Sequence, residues 1–199
     1  MTAYADTAAL IDDPRVLRVT ISDNGEPLVD VRNIPVLAAD QTRADVQQLS
    51  DNPFQVRAGV ARKLAGAQAR LPGGYQIQVK EGWRPVWVQQ QLWELCLDQL
   101  RSSRPGLSPE QLRRENARFV APPGIAPPHS TGGAVDVVLL RDGCHAGMGW
   151  GFNQPGVGSR TAAPVTAAAR WHWSYGDRYW AFQRGHAGAF DRIHDALPH

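Results

Sequence analysis

His129-Ser130-Thr131-Gly132-Gly133-Ala134-Val135-Asp136-Val137-Val138-Leu139-Leu140 runs from a small-residue loop into an apolar segment broken by one charge. Ala134 to Leu140 reads as a buried strand, short and rich in β-branched residues. Side chains alternate along a strand, so Asp136 shares a face with Ala134 and Val138. A carboxylate buried there is costly unless it is paired or binds a metal. Gly132 and Gly133 permit a tight turn that folds His129 back over the strand. Two readings follow from these residues alone. Either His129 and Asp136 form part of a metal site, or Asp136 is hydrogen-bonded to a neighbouring loop and His129 is simply exposed.

Upstream, Tyr75, Ile77 and Val79 alternate with Gln76, Gln78 and Lys80, the pattern of a half-buried strand. Pro85 then opens a helix to about Arg101, with Val88, Leu92, Leu95, Leu97 and Leu100 available to its buried side. Ser108-Pro109-Glu110 starts another helix, ending near Phe119. Pro53 to Leu71 is expected as a helix behind Asp51-Asn52, with Val56, Val60, Leu64, Ala67 and Leu71 at helical spacing. Val16–Ile21 and Leu28–Val36 read as two short strands around the Asn24-Gly25 turn. Ala121 to Pro128, with four prolines, reads as an extended loop. Gly147 to Ala163 reads as a loop, Ala167 to Trp173 fits helix or strand, and Gly176 to Arg184 reads as a short helix. Strands and helices without regular βαβ alternation indicate an α+β fold, with a mostly antiparallel central sheet flanked by helices.

The chain has 199 residues, consistent with one domain, residues 1–199. Hydrophobic residues make up 43% and charged residues 20%, which excludes wholesale disorder. A net charge of +2 is too small to imply a nucleic-acid surface. Met1 to Asp13 has no basic n-region, and the apolar runs fall far short of the ~20 residues of a membrane span. A soluble cytoplasmic protein without a membrane partner is expected, its Cys96 and Cys144 reduced. The oligomeric state is left open. With so few thiols, the six His and the carboxylates are the available metal ligands. His145 stands near the motifs, and His186, His194 and His199 fall in the tail.

Two further constellations carry chemistry. In Trp171-His172-Trp173-Ser174-Tyr175-Gly176-Asp177, a His between two Trp is desolvated and held in one orientation, as a neutral ligand would be. The plainer alternative is an aromatic core cluster with a satisfied His. In Glu81-Gly82-Trp83-Arg84-Pro85, an Arg at a strand-to-helix junction can present its guanidinium to an anion or a developing oxyanion. The plainer alternative there is a surface salt bridge.

Gly-Trp-Arg-Pro, then His-x-x-Gly-x-Ala-x-Asp, then Trp-His-Trp-Ser-Tyr-Gly-Asp, in that order, resembles the D-alanyl-D-alanine dipeptidases. These are the VanX-type zinc peptidases of vancomycin resistance and peptidoglycan turnover, related to the D,D-carboxypeptidases. The resemblance runs from about Asp51 to Phe182. It implies a VanX-type, D,D-peptidase-like fold, with Zn2+ on His129, Asp136 and His172 and Arg84 as the substrate-polarising catalytic group. It implies a dipeptide-like substrate and hydrolysis by a metal-activated water. Trp83, Trp171, Trp173 and Asp177 flank these motifs and are candidate substrate-binding residues.

The sequence departs from the family pattern at a critical place. The family's general base is a Glu three residues before the last ligand, and Ala169 stands there, followed by Arg170. The segment between Phe152 and Ala169 is also shorter than the family's, and Pro127 replaces a Ser common two positions before His129. Loss of a general base costs ~10²–10⁴-fold in rate, whereas metal binding does not need it. Three readings stay open. Hydrolysis persists with Asp177, Glu115 or His145 as the substitute base. Alternatively, the chain is a non-catalytic metal-binding relative. In the third, the two-His, one-carboxylate set serves non-hydrolytic chemistry with Fe2+ or Cu2+, as in non-haem iron oxygenases.

Overall fold

The apolar stretch after Gly133 forms the middle strand of the molecule. In a computed structural model, residues 11–42, 50, 53–146 and 172–193 are described. In chain order the elements are α1 (Pro14–Leu17), β1 (Leu28–Asp30), β2 (Ala38–Ala39), β3 (Gln55–Arg57), α2 (Ala58–Gln68), β4 (Tyr75–Glu81), α3 (Val86–Ser103), α4 (Pro109–Asn116), β5 (Ala134–Arg141), β6 (Cys144–His145), β7 (His172–Ser174) and α5 (Arg178–Arg184). β5 pairs antiparallel with β4 along one edge. Its other edge is shared, with β7 opposite Ala134–Asp136 and β6 opposite Leu140–Arg141, both antiparallel. β2 adds to β4 in parallel, and β1 and β3 form a separate antiparallel pair. The fold is α+β, with a mostly antiparallel sheet and flanking helices, as the patterning predicts.

One face of the sheet closes the apolar core. Ile77, Val79, Val135 and Val137 pack there with Phe54 and with Val60 of α2. Between Val79 and Glu81 the register slips, so Val79 faces Val137 but Glu81 faces Asp136. A β-bulge at this point accommodates Lys80 as the extra residue. Lys80 is buried and ion-paired with the equally buried Asp40.

Four expectations are corrected. Val16 lies in the short helix α1, not a strand, because Asp13 caps it through the Arg15 N–H at 2.8 Å and Pro14 occupies its first turn. Ile21 makes only an isolated bridge to Gly188, and the strand beginning at Leu28 ends at Asp30, where a 3-10 turn, Val31–Asn33, takes over. The helix expected from Pro53 begins at Ala58, because Gln55–Arg57 pair with β1 instead. Leu95 of α3 is 55% exposed rather than buried. The Ala121–Pro128 loop contains a 3-10 turn, Pro123–Ile125, and a second turn, Pro128–Thr131, carries His129. α4 begins with a full capping box between Ser108 and Gln111. The expectations over 147–171 fall outside the described residues.

Arg57 ties the edges of this arrangement together. It is 4% exposed. Its Nε donates to the Thr131 carbonyl at 2.8 Å, Nη1 to the Glu26 carbonyl at 2.6 Å, and Nη2 to Asp23 Oδ2 at 2.7 Å and the Asp191 carbonyl at 3.2 Å. Its backbone N–H donates to Gly132 at 2.9 Å. One side chain thereby anchors the His129 turn to segments far away in sequence.

Candidate metal centre

Asp136 sits between Glu81 of β4 on one side and His172 of β7 on the other. Residues directly opposite in register share a face, so Glu81, Asp136 and His172 form a row across three strands, on the side away from the Val135–Val137 core. His129 reaches this row from the turn before β5. Gly132, at φ 69°, reverses the chain there in the left-handed region that glycine favours. His129 is 7% and Asp136 4% exposed, and His172 is half-buried.

Three donor atoms converge. His129 Nε2 lies 3.2 Å from His172 Nδ1 and 3.5 Å from Asp136 Oδ1. His172 Nδ1 lies 2.8 Å from Asp136 Oδ1. The His129 Nδ1–H donates to the Gly82 carbonyl at 2.7 Å, which fixes the tautomer and leaves the Nε2 lone pair facing the other two. Three electron-pair donors so close repel one another unless positive charge sits among them. Tetrahedral bonds of about 2.0–2.1 Å place neighbouring ligand atoms about 3.3 Å apart, close to the spacing here. The donor set therefore fits a divalent ion of the zinc type.

The electrostatics agree. Burial pushes the Asp136 carboxyl up, but His129 and then His172 outweigh it and hold it far below the ordinary carboxylate range. Burial pushes His129 down, but Asp136 outweighs it and raises the imidazole above its ordinary value. A metal ion would replace the proton that this pairing favours.

Arg84 follows directly. Its backbone N–H donates to the His129 carbonyl at 3.1 Å. Its Nε donates to Glu81 Oε1 at 2.6 Å and its Nη1 to Gln89 Oε1 at 2.7 Å. Burial pushes Glu81 up and Arg84 down, yet each partner's charge outweighs it, so both stay ionised. The Arg84 side chain is 15% and the Glu81 side chain 6% exposed, so this is a largely buried ion pair and not the surface bridge that was the plainer alternative.

The other candidates lie as follows. Trp83 is buried, its backbone N–H on the Gln55 carbonyl at 2.5 Å. Trp173 stands opposite Val135 in register, on the reverse face from Asp136, and is 38% exposed. Strand alternation thus directs its side chain away from the triad. Trp171 and Ala169 lie outside the described residues. Asp177 is fully buried and caps α5 through the Trp180 N–H at 2.9 Å, and burial drives its pKa up. Glu115 is engaged with Arg104 and Arg118. His145 is opposite Leu140, four residues along β5 from Asp136 or about 13 Å of strand. Neither Glu115 nor His145 joins the triad. Sequence reasoning missed Glu81 and Gln89. The signal for Glu81 was its place in the Arg84 motif, and for Gln89 its spacing one turn into the helix that Pro85 opens.

No protein-family model matches the chain. The chain is 28% identical over 223 residues to a D-alanyl-D-alanine dipeptidase of Synechocystis sp., an alignment covering 84% of this chain and 89% of the relative. That alignment is longer than the whole 199-residue chain, so the relative has positions that this chain lacks. Among solved structures, VanYB in complex with D-alanine-D-alanine is 20% identical at a TM-score of 0.41, covering 69% of this chain and 82% of that one. A mutant of the vancomycin resistance D,D-pentapeptidase VanY in complex with Zn(II) is 19% identical at a TM-score of 0.40, with 69% and 83% covered. The resemblance drawn from the three motifs holds over most of the chain.

Proposed function

We propose, on the likeness to the D-alanyl-D-alanine dipeptidases, that this chain is a cytoplasmic, single-domain metalloenzyme acting on a dipeptide-like substrate. The observation that carries the reading is the meeting of His129 Nε2, Asp136 Oδ1 and His172 Nδ1 within 3.5 Å of one another, beside the Arg84–Glu81 ion pair. Those three atoms would hold the ion, with zinc the nominal metal. Bound there, the ion would supply Lewis-acid activation of water and of a carbonyl. Everything else falls to the chain itself. The Gly82 carbonyl keeps the His129 Nε2 lone pair aimed at the site. The buried row across β4, β5 and β7 keeps Asp136 and His172 from turning away. Arg84 offers a permanent positive charge to a substrate oxygen that gains negative charge.

A second reading is favoured by one specific feature. The resemblance puts the base where Ala169 stands. Asp177 caps α5 through Oδ1 alone, Glu81 is held by Arg84, and Glu115 and His145 are elsewhere. A two-His, one-carboxylate site with no dedicated base among the described residues suits non-hydrolytic metal chemistry with Fe2+ or Cu2+. Elemental analysis of the purified protein, with a D-Ala-D-Ala cleavage assay after zinc is restored, separates the two. Turnover at ordinary dipeptidase rates ends the second reading, and native iron or copper without cleavage ends the first. Asp136→Ala is expected to abolish stoichiometric metal in either case. Full metal content in that variant and in His129→Ala would overturn the ligand assignment.

A further inference from the structure

Arg84 is gripped at two points, and both holders are buried. Glu81 accepts from Nε at 2.6 Å and Gln89 from Nη1 at 2.7 Å, while Nη2 bonds to no described residue. A single contact at Nε leaves the guanidinium plane free to swing, and a second at Nη1 fixes it. Gln89 is 1% exposed, and its Nε2 donates to the Ala121 carbonyl at 2.7 Å. Ala121 opens the proline-rich approach to His129. The orientation of the Gln89 amide is forced, because a guanidinium only donates and a carbonyl only accepts. A buried amide costs stability unless both ends are satisfied, and here both are. An apolar side chain of the same size would fill this place on α3 without that requirement. What the amide adds is direction. It ties Arg84, at the end of β4, to the loop that delivers His129.

We propose that Gln89, with Glu81, is a positioning residue that fixes the plane of Arg84 and leaves its Nη2 edge as the face offered to a substrate oxygen. This rests on the reading of Arg84 as the substrate-contacting group. Gln89 itself touches no reacting atom, since both of its polar ends are spent.

The test compares metal-loaded wild type with Gln89→Leu, Gln89→Met and Glu81→Gln. Three quantities are read: the Arg84 Nε–H proton resonance, identified by its loss in Arg84→Lys; the metal stoichiometry; and steady-state kinetics on D-Ala-D-Ala. Wild type should show a slowly exchanging Arg84 resonance. Gln89→Leu should broaden or lose it with metal stoichiometry intact, and kcat should fall about tenfold to a hundredfold while KM moves less. Glu81→Gln keeps an acceptor for Nε and should retain the resonance. If Gln89→Leu does not fold, Gln89→Met, unbranched and of matching length, carries the comparison. An unchanged Arg84 resonance and kcat in the Gln89 variants would overturn the proposal while leaving the functional reading intact. If wild type neither binds nor cleaves D-Ala-D-Ala, the functional reading fails, and the resonance alone decides. Its persistence in the Gln89 variants then refutes positioning, and its loss supports it.

Discussion

Val135 and Val137 point from β5 into a core closed by Phe54, Val79 and α2, while Asp136 between them points the other way, to His129, His172 and the Glu81–Arg84 pair. Both environments are dry. The apolar one is a sum of many small contacts, so a truncation removes its own share and leaves the neighbours satisfied. The polar one is interlocked, so removing one member strands the others. The difference teaches that stability and metal chemistry, although carried by adjacent residues of one strand, should respond separately to substitution.

The largest stability effect is expected on the apolar side. Phe54→Ala, at a side chain 2% exposed, should lower the unfolding free energy by about 3–5 kcal/mol in chemical denaturation, with metal stoichiometry of the folded protein unchanged. Loss of metal at constant folded fraction would break the separation. Gly82→Ala should breach it from the seam. A Cβ at Gly82 would run into the Gln55 carbonyl, and the Gly82 carbonyl holds His129. A loss of about 1–3 kcal/mol, together with weaker metal binding by isothermal titration, is expected. An effect on stability alone would mean that the His129 tautomer is fixed by something else.

A smaller effect is expected at Asp40. Burial pushes its carboxyl up, but Lys80 and Thr42 outweigh it and lower it from 3.8 to about 2. A carboxyl lowered by folding stabilises above its unfolded value and loses that contribution as pH falls through the folded one. Stability measured by denaturation should therefore decline between about pH 4 and pH 2, and less steeply in Asp40→Asn. Equal slopes would assign the acid sensitivity to other carboxylates. The smallest effect is expected at Trp173, on the reverse face from Asp136. Trp173→Ala should leave metal affinity within about threefold, and a larger change would show that the two faces communicate through β7.

Much of this contrast is legible in the sequence. The single charge inside Ala134–Leu140, the alternation at Tyr75–Val79 and the caps at Pro85 and Ser108 are local signals, and each element appears where those signals put it. What failed was non-local. Gln55–Arg57 carry a helical pattern, yet Leu28–Asp30 recruit them as a strand. The same holds at the site. His129, Asp136 and His172 stand out by residue type and motif, whereas Glu81 and Gln89 are ordinary surface types. Their importance comes from burial beside Arg84, which depends on a bulge and a helix packing that no local pattern encodes.

That bulge has a numerical consequence. Ile77 and Val79 of β4 belong to the core, and the inserted Lys80 throws the count out of step, so that odd Glu81 lands on the opposite side. The interval from Ile77 to Arg84 is therefore constrained in parity as well as in length. A regular strand through Lys80, with no slip, would put Glu81 opposite Val135. It would turn the carboxylate that grips Arg84 into the hydrocarbon layer, with every side-chain type unchanged.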